Sequence, residues 1–254
     1  MTETYGEEKI GSVTPETFWD LDEEFRELQL NLLSIHVVSE EFGADCFERS
    51  ILQAPNAVMK MRMAKTVMEE YGHHLRFRAL FDELGVDWEE FTRGKPHLST
   101  FDTPIESWAD QMVFLALLDR AAAHQFRQFV KSPYEPFRKA CQDTLNEEYG
   151  HVGLGMDGVK ELLKTEDGRK EVEAVLPKWL KVGLVSFGSD ESRTNARFRR
   201  WGFKSDTNGD MRDAYYTQVR AFITREWGIE VSEDMTSLMD GSANKDIPAP
   251  AAAG

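Results

Sequence analysis

The chain has 254 residues, room for one large domain or two modest ones, and its 41% hydrophobic content is enough to bury a sizeable core. Thirty Lys and Arg against forty-five Asp and Glu leave a formal charge of −15, which argues against nucleic acid or an anionic membrane as the main partner. Two cysteines, Cys46 and Cys141, are too few for a disulfide framework or a four-thiolate iron–sulfur cluster, so a reducing compartment is expected.

The amino terminus is acidic, with neither the basic nor the apolar region of a signal peptide, and no apolar run reaches membrane-spanning length. A soluble cytoplasmic protein is the expectation. Apolar residues recur at three-to-four spacing almost throughout, which predicts an all-α fold. The expected divisions are a polar tail over 1–14, a helical domain over 15–240, and a disordered Ala/Pro tail over 241–254. Thr14 and Pro15 open the first helical stretch, which runs on to a stop before Pro55. A second long helix fills 56–84 and stops at Gly85; a short helical piece and a loop with Gly94 and Pro96 follow. The third, around "WADQMVFLALLDRAAAHQF", ends before Pro133, and the fourth covers 134–164. Four such helices suggest a bundle, with the long second-to-third link as a crossover. Two accessory helices are expected over 169–187 and 209–228.

"EEYGH" occurs twice, at 69–73 and 147–151. On a helix, residues three apart stack on one face, so Glu70 with His73, and Glu148 with His151, can each grip one metal. Bundles that hold two metals add one carboxylate from each remaining helix. Asp119, interrupting an apolar run, suits the third helix; either Glu40 or Glu41 suits the first, since neighbours on a helix cannot both face inward. Four carboxylates with two divalent ions form a neutral cluster, tolerable in a core. Gly72 and Gly150 each cost roughly 1 kcal/mol in a helix interior, which predicts a close approach of backbone or ligand. His36, one turn before Glu40, is a candidate support for it; His74, His97 and His124 default to surface or core roles, and Tyr71 and Tyr149 to packing. "GLGMDG" at 153–158 spells a dinucleotide-binding pattern but follows no strand, so that reading is rejected.

The order "SEEFG…QAP…EEYGHH…WADQMVFLALLDRAAA…NEEYGHV…WLKVGLVSFGSDESRTNARFRRWGFKSD" resembles the catalytic subunits of the ring 1,2-phenylacetyl-CoA epoxidases, ferritin-like multicomponent di-iron oxygenases. The chain reads as shorter than those subunits. The resemblance implies metal-binding and catalytic positions at Glu40, Glu70, His73, Asp119, Glu148 and His151, and so selects Glu40 over Glu41. It implies two Fe ions, although ligand type alone leaves Mn open. It also implies O2 activation and oxygen insertion into an aromatic acyl-CoA substrate, with electrons from NAD(P)H through a separate flavin/iron–sulfur reductase. A non-catalytic bundle subunit, and hence an oligomer, follows from the same resemblance. The alternatives are a ferroxidase-type iron-handling protein and a non-catalytic bundle subunit. For the substrate, the basic run Arg193, Arg197, Arg199, Arg200 and Lys204 is a candidate for CoA phosphates or an acidic partner. Phe114, Leu115 and Leu118 are candidates for an acyl pocket.

Overall fold

The computed structural model describes residues 9–233 and 235–239, so the expected 241–254 tail lies outside the described residues. The described chain is helical, with one isolated bridge between Val13 and Tyr134 in place of any sheet. Four long helices form the bundle: α2 (Glu23–Gln53), α3 (Ala57–Glu83), α5 (Trp108–Phe129) and α6 (Glu135–Leu162). Around them lie α1 (Pro15–Phe18), α4 (Trp88–Thr92), α7 (Glu166–Val185), α8 (Arg193–Arg200), α9 (Asn208–Phe222) and the short α10 (Thr236–Met239). No helix among the described residues is long and apolar enough to cross a membrane.

Local chemistry sets the ends. Pro15 opens α1, but the first helical stretch is not continuous: the chain leaves the helix after Phe18, and Asp22 caps a new start by accepting the Glu24 N–H (2.9 Å). Asn56 and Ser107 cap α3 and α5 in the same way. Gly85, at φ +67, turns the chain out of α3, a conformation that suits glycine. Residues 11–13 of the expected polar tail strap the α5–α6 turn through Val13 N–H to Pro133 O (2.9 Å) and Glu135 N–H to Val13 O (2.8 Å).

Two apolar clusters fill the bundle. One gathers Leu33, Val37, Phe77, Phe126 and Phe137, the other Phe47, Met63, Val67, Leu115 and Leu154. Helices α2 and α6 traverse the first cluster and then the second; α3 and α5 run the opposite way. Consecutive helices α3 and α5 therefore run in the same direction, which requires the chain to return the length of the bundle between them. Residues 84–107, with α4 and a 3-10 turn at Ser99–Asp102, make that return. This is the ferritin-like arrangement.

The glycines of "GLGMDG" have a packing role. A Cβ at Gly155 would fall 2.7 Å from Met112 O and closer still to Ala116 N, and one at Gly158 would overlap the Met112 side chain. Their absence of side chain lets α6 lie tightly on α5. Gly72 and Gly150 differ: nothing lies within 4 Å of a Cβ at either, so no close protein approach accounts for them.

Candidate metal centre

Between the two apolar clusters lies a polar layer one turn deep. All four bundle helices contribute: Glu40 from α2, Glu70 and His73 from α3, Asp119 from α5, Glu148 and His151 from α6. The two histidines, Glu70, Glu148 and Asp119 are each at most 5% exposed. Glu41 turns outward and is exposed, as expected of the neighbour of an inward residue.

His73 Nδ1 lies 3.5 Å from Glu40 Oε2, 3.4 Å from Glu70 Oε2 and 3.7 Å from Glu148 Oε1. His151 Nδ1 lies 3.2 Å from Glu70 Oε1, 3.8 Å from Asp119 Oδ2 and 3.9 Å from Glu148 Oε2. Glu70 and Glu148 thus each turn one oxygen to either imidazole, while Glu40 and Asp119 serve one side apiece. Donor atoms at this spacing can share an ion held about 2.1 Å from each. The chain therefore offers two adjoining ligand groups, Glu40–Glu70–His73–Glu148 and Glu70–Asp119–His151.

Unsatisfied atoms point the same way. His73 Nδ1, His151 Nδ1 and Asp119 Oδ2 are buried without a hydrogen-bond partner. Orphaned buried acceptors are costly unless a cation takes them up. The far side of each ring is satisfied: His73 Nε2 donates to Glu147 Oε2 (2.9 Å) and His151 Nε2 to Glu69 Oε2 (3.3 Å). A carboxylate can only accept, so Nε2 carries a proton, and a ring that gives up its Nδ1 proton directs that lone pair at the metal position.

Reading the sequence for ligands misses Glu69 and Glu147, although their signal is present. Each is the first letter of the repeated "EEYGH", and each supports the histidine of the other copy. The tyrosines also work in parallel, since Tyr71 donates to Asp45 (2.6 Å) on α2 and Tyr149 accepts from Arg127 (2.9 Å) on α5. Each tyrosine ties its helix to its neighbour in the pair. His36 supports Glu40 through Nδ1 to Oε1 (3.3 Å), with its ring stacked on Phe77 and Phe126. His74, His97 and His124 bond to Val37 O, Asp102 and Gln218, away from the cluster.

Electrostatics reflects four acids packed together. Burial, then the Glu70 charge, pushes Glu148 up to about 8, and burial with the Glu148 charge raises Asp119 well above the carboxylate range. Burial also opposes ionisation of Glu70, but its contacts with His151 and His73 outweigh that and hold it low. Both imidazoles are raised: burial disfavours their cations, yet Glu147 and Glu40 at His73, and Glu69 and Glu70 at His151, prevail. The His73 hydrogen bond, opposed by burial and aided by Arg76, takes Glu147 down to about 2. Protons shared over such a cluster are the ones that entering cations displace.

A cavity of about 260 Å³ opens directly onto Glu40, Glu70, Asp119 and Glu148. Its wall includes one face of α5, with Ala122, Gln125, Phe126 and Phe129, and also Asn195, Phe198 and Lys204. Phe114, Leu115 and Leu118 do not line it. They point into the apolar cluster on the other side of Asp119, where Phe114 packs edge-on against Phe47 and Trp179. The basic run also divides. Arg197 is paired with Glu24 (2.6 Å) and Glu27 (3.3 Å), and Arg200 with Glu24, so these two tie α8 to α2. Arg199 donates to Ser205 O (3.2 Å), and Arg193 is exposed. Lys204 alone of the five borders the cavity.

A family model described as "Phenylacetic acid catabolic protein" matches residues 16–244. Over 200 residues the chain is 26% identical to a 1,2-phenylacetyl-CoA epoxidase component of Escherichia coli (strain K12). The match covers 75% of this chain and 64% of that protein, so the chain spans a little under two thirds of its relative's length.

Proposed function

The chain belongs to the phenylacetic acid catabolic protein family, and from that premise we propose that it is the di-iron subunit of a multicomponent oxygenase acting on an aromatic acyl-CoA. The observation that carries the reading is the meeting of six donor side chains from four helices beside an apolar cavity. Glu40, Glu70, His73, Asp119, Glu148 and His151 would hold the two irons, Glu70 and Glu148 each turning one oxygen to either histidine. Bound there, a di-iron(II) pair supplies reductive activation of O2, one oxygen atom going to the aromatic ring and the other to water, with two electrons from NAD(P)H through a separate flavin/iron–sulfur reductase.

The chain's own residues do the rest. Glu69 and Glu147 hold the imidazoles in the tautomer that presents Nδ1, and His36 fixes Glu40. Phe126, Phe129 and Phe198 wall the cavity and keep water from the reacting atoms. Cys46 and Cys141 are isolated thiols, Cys141 fully buried, which fits an electron supply from another component. A non-catalytic bundle subunit is the expected structural partner. An iron-storage role would have no use for a cavity of this kind, which favours the oxygenase over the ferroxidase reading.

Substituting Glu70→Ala or His151→Ala abolishes iron loading, read by metal analysis and Mössbauer spectroscopy, together with O2-dependent turnover of phenylacetyl-CoA in the presence of a reductase. Full loading and full activity in either variant overturns the proposal.

A further inference from the structure

Lys204 is set apart from the arginines that precede it. The turn at Gly202, φ +76, swings the chain inward after α8, and the Lys204 ammonium enters the cavity wall. Its Nζ donates to Gln125 Oε1 (2.6 Å) and lies 5.1 Å and 5.8 Å from the Phe129 and Phe198 ring centroids. Among the described residues no carboxylate pairs with it, and burial alone pushes it down to about 8. An ammonium has three donor hydrogens, of which Gln125 takes one. A cation held among phenyl rings without a counter-charge is costly unless another acceptor reaches it.

The position also has a length scale. Gln125 is six residues beyond Asp119 on the cavity-lining face of α5, about 9 Å along the helix axis. Ala122 lines the wall between them, and Phe126 lines it just beyond Gln125. At about 260 Å³ the cavity is smaller than the roughly 300–1,000 Å³ usual for drug-sized ligands. It suits an arylacyl group and leaves the nucleotide of a CoA ester outside.

We propose that Lys204 binds the carbonyl oxygen of an arylacyl thioester where the cavity wall meets Gln125, directing the aromatic ring toward Glu40, Asp119 and Glu148. The assignment rests on the aromatic acyl-CoA reading above. It makes Lys204 a positioning residue for the acyl group, distinct from any site for CoA phosphates. Gln125 orients the ammonium, and the phenyl faces of Phe129 and Phe198 hold it by cation–π attraction.

The test uses the iron-loaded protein without reductant, so that binding is read apart from turnover. Phenylacetyl-CoA, its thioether analogue S-(2-phenylethyl)-CoA, which lacks the carbonyl oxygen, and free phenylacetate are titrated by calorimetry into wild type, Lys204→Met, Lys204→Gln and Lys204→Arg. Wild type is expected to prefer thioester over thioether by about tenfold to a hundredfold, the range for a hydrogen bond from a charged donor. Lys204→Met loses that preference while still binding the thioether, which also reports that the variant is folded. Lys204→Gln and Lys204→Arg retain part of the preference. No preference in wild type, or the wild-type preference kept in both the Met and Gln variants, overturns the lysine assignment and leaves the oxygenase reading standing. Tighter binding of free phenylacetate than of the thioester overturns it too, by making a carboxylate the ligand. Wild type that binds neither CoA compound removes the acyl-CoA reading, and the inference with it.

Discussion

The α2–α3 pair and the α5–α6 pair present the same ligand types to the centre of the bundle, yet they support them differently. On the His73 side, Glu147 is held at 2.9 Å from the ring and clamped by Arg76 at 3.0 Å and 3.3 Å, and Arg76 in turn bonds Thr144 at 2.8 Å. Glu40 there has its own partner in His36. On the His151 side, Glu69 sits at 3.3 Å, its other partner is the exposed Lys65, and Asp119 Oδ2 has no hydrogen bond at all. The repeat duplicates the donor atoms; the surroundings make one half firm and the other loose. The firm half is expected to hold an ion more tightly than the loose half, because neighbouring hydrogen bonds set how much order a ligand must gain on binding.

The largest effect that breaks this contrast comes from a residue common to both halves. Glu148→Ala is expected to bring iron content close to zero, whereas Asp119→Ala, which serves the His151 side alone, leaves about one ion per chain on stoichiometric metal analysis. Equal losses in the two variants show that the halves do not load separately. Next come the supports. Glu147→Gln weakens iron binding by roughly 10–100-fold, and Glu69→Gln falls at the low end of that range, as measured by competition with a chelator. The reverse order contradicts the firm-and-loose distinction.

Smaller effects concern the glycines and are read in thermal unfolding. Gly155→Ala pushes a methyl into the α5 backbone and is expected to destabilise by about 1–3 kcal/mol. Gly72→Ala meets open space and is expected to stabilise by up to about 1 kcal/mol, or roughly 2–4 °C in Tm. Gly150→Ala behaves like Gly72→Ala if the two copies of the repeat are equivalent on their outer faces. A loss of stability at Gly72 reveals a close contact that the described residues do not make.

Much of this was legible in one dimension. Three-to-four periodicity marked the four long helices, and the spacing within "EEYGH" placed Glu70 above His73 and Glu148 above His151 through helix geometry alone. Asp119 stood out because a charge inside "MVFLALLDRAAA" has no apolar explanation. The break after Phe18 was not legible, since Trp19–Asp22 continues the helical pattern and only the Asp22 cap marks the new start. Nor were the roles of Glu69 and Glu147: each partner lies on another helix, 82 and 74 positions away.

Local spacing is a property of the backbone, and so the ligand-bearing faces, the helix ends and the all-α class follow from residue order itself. Which helix faces which is a matter of packing between distant segments. That level alone decided that Phe114, Leu115 and Leu118 are core, that Gly155 rather than Gly72 permits a close approach, and that Arg197 and Arg200 are paired with Glu24 and Glu27 on α2. It also turned Lys204 away from its neighbours in the basic run and toward the cavity, because a charge's partners are chosen by distance in space and not by position along the chain.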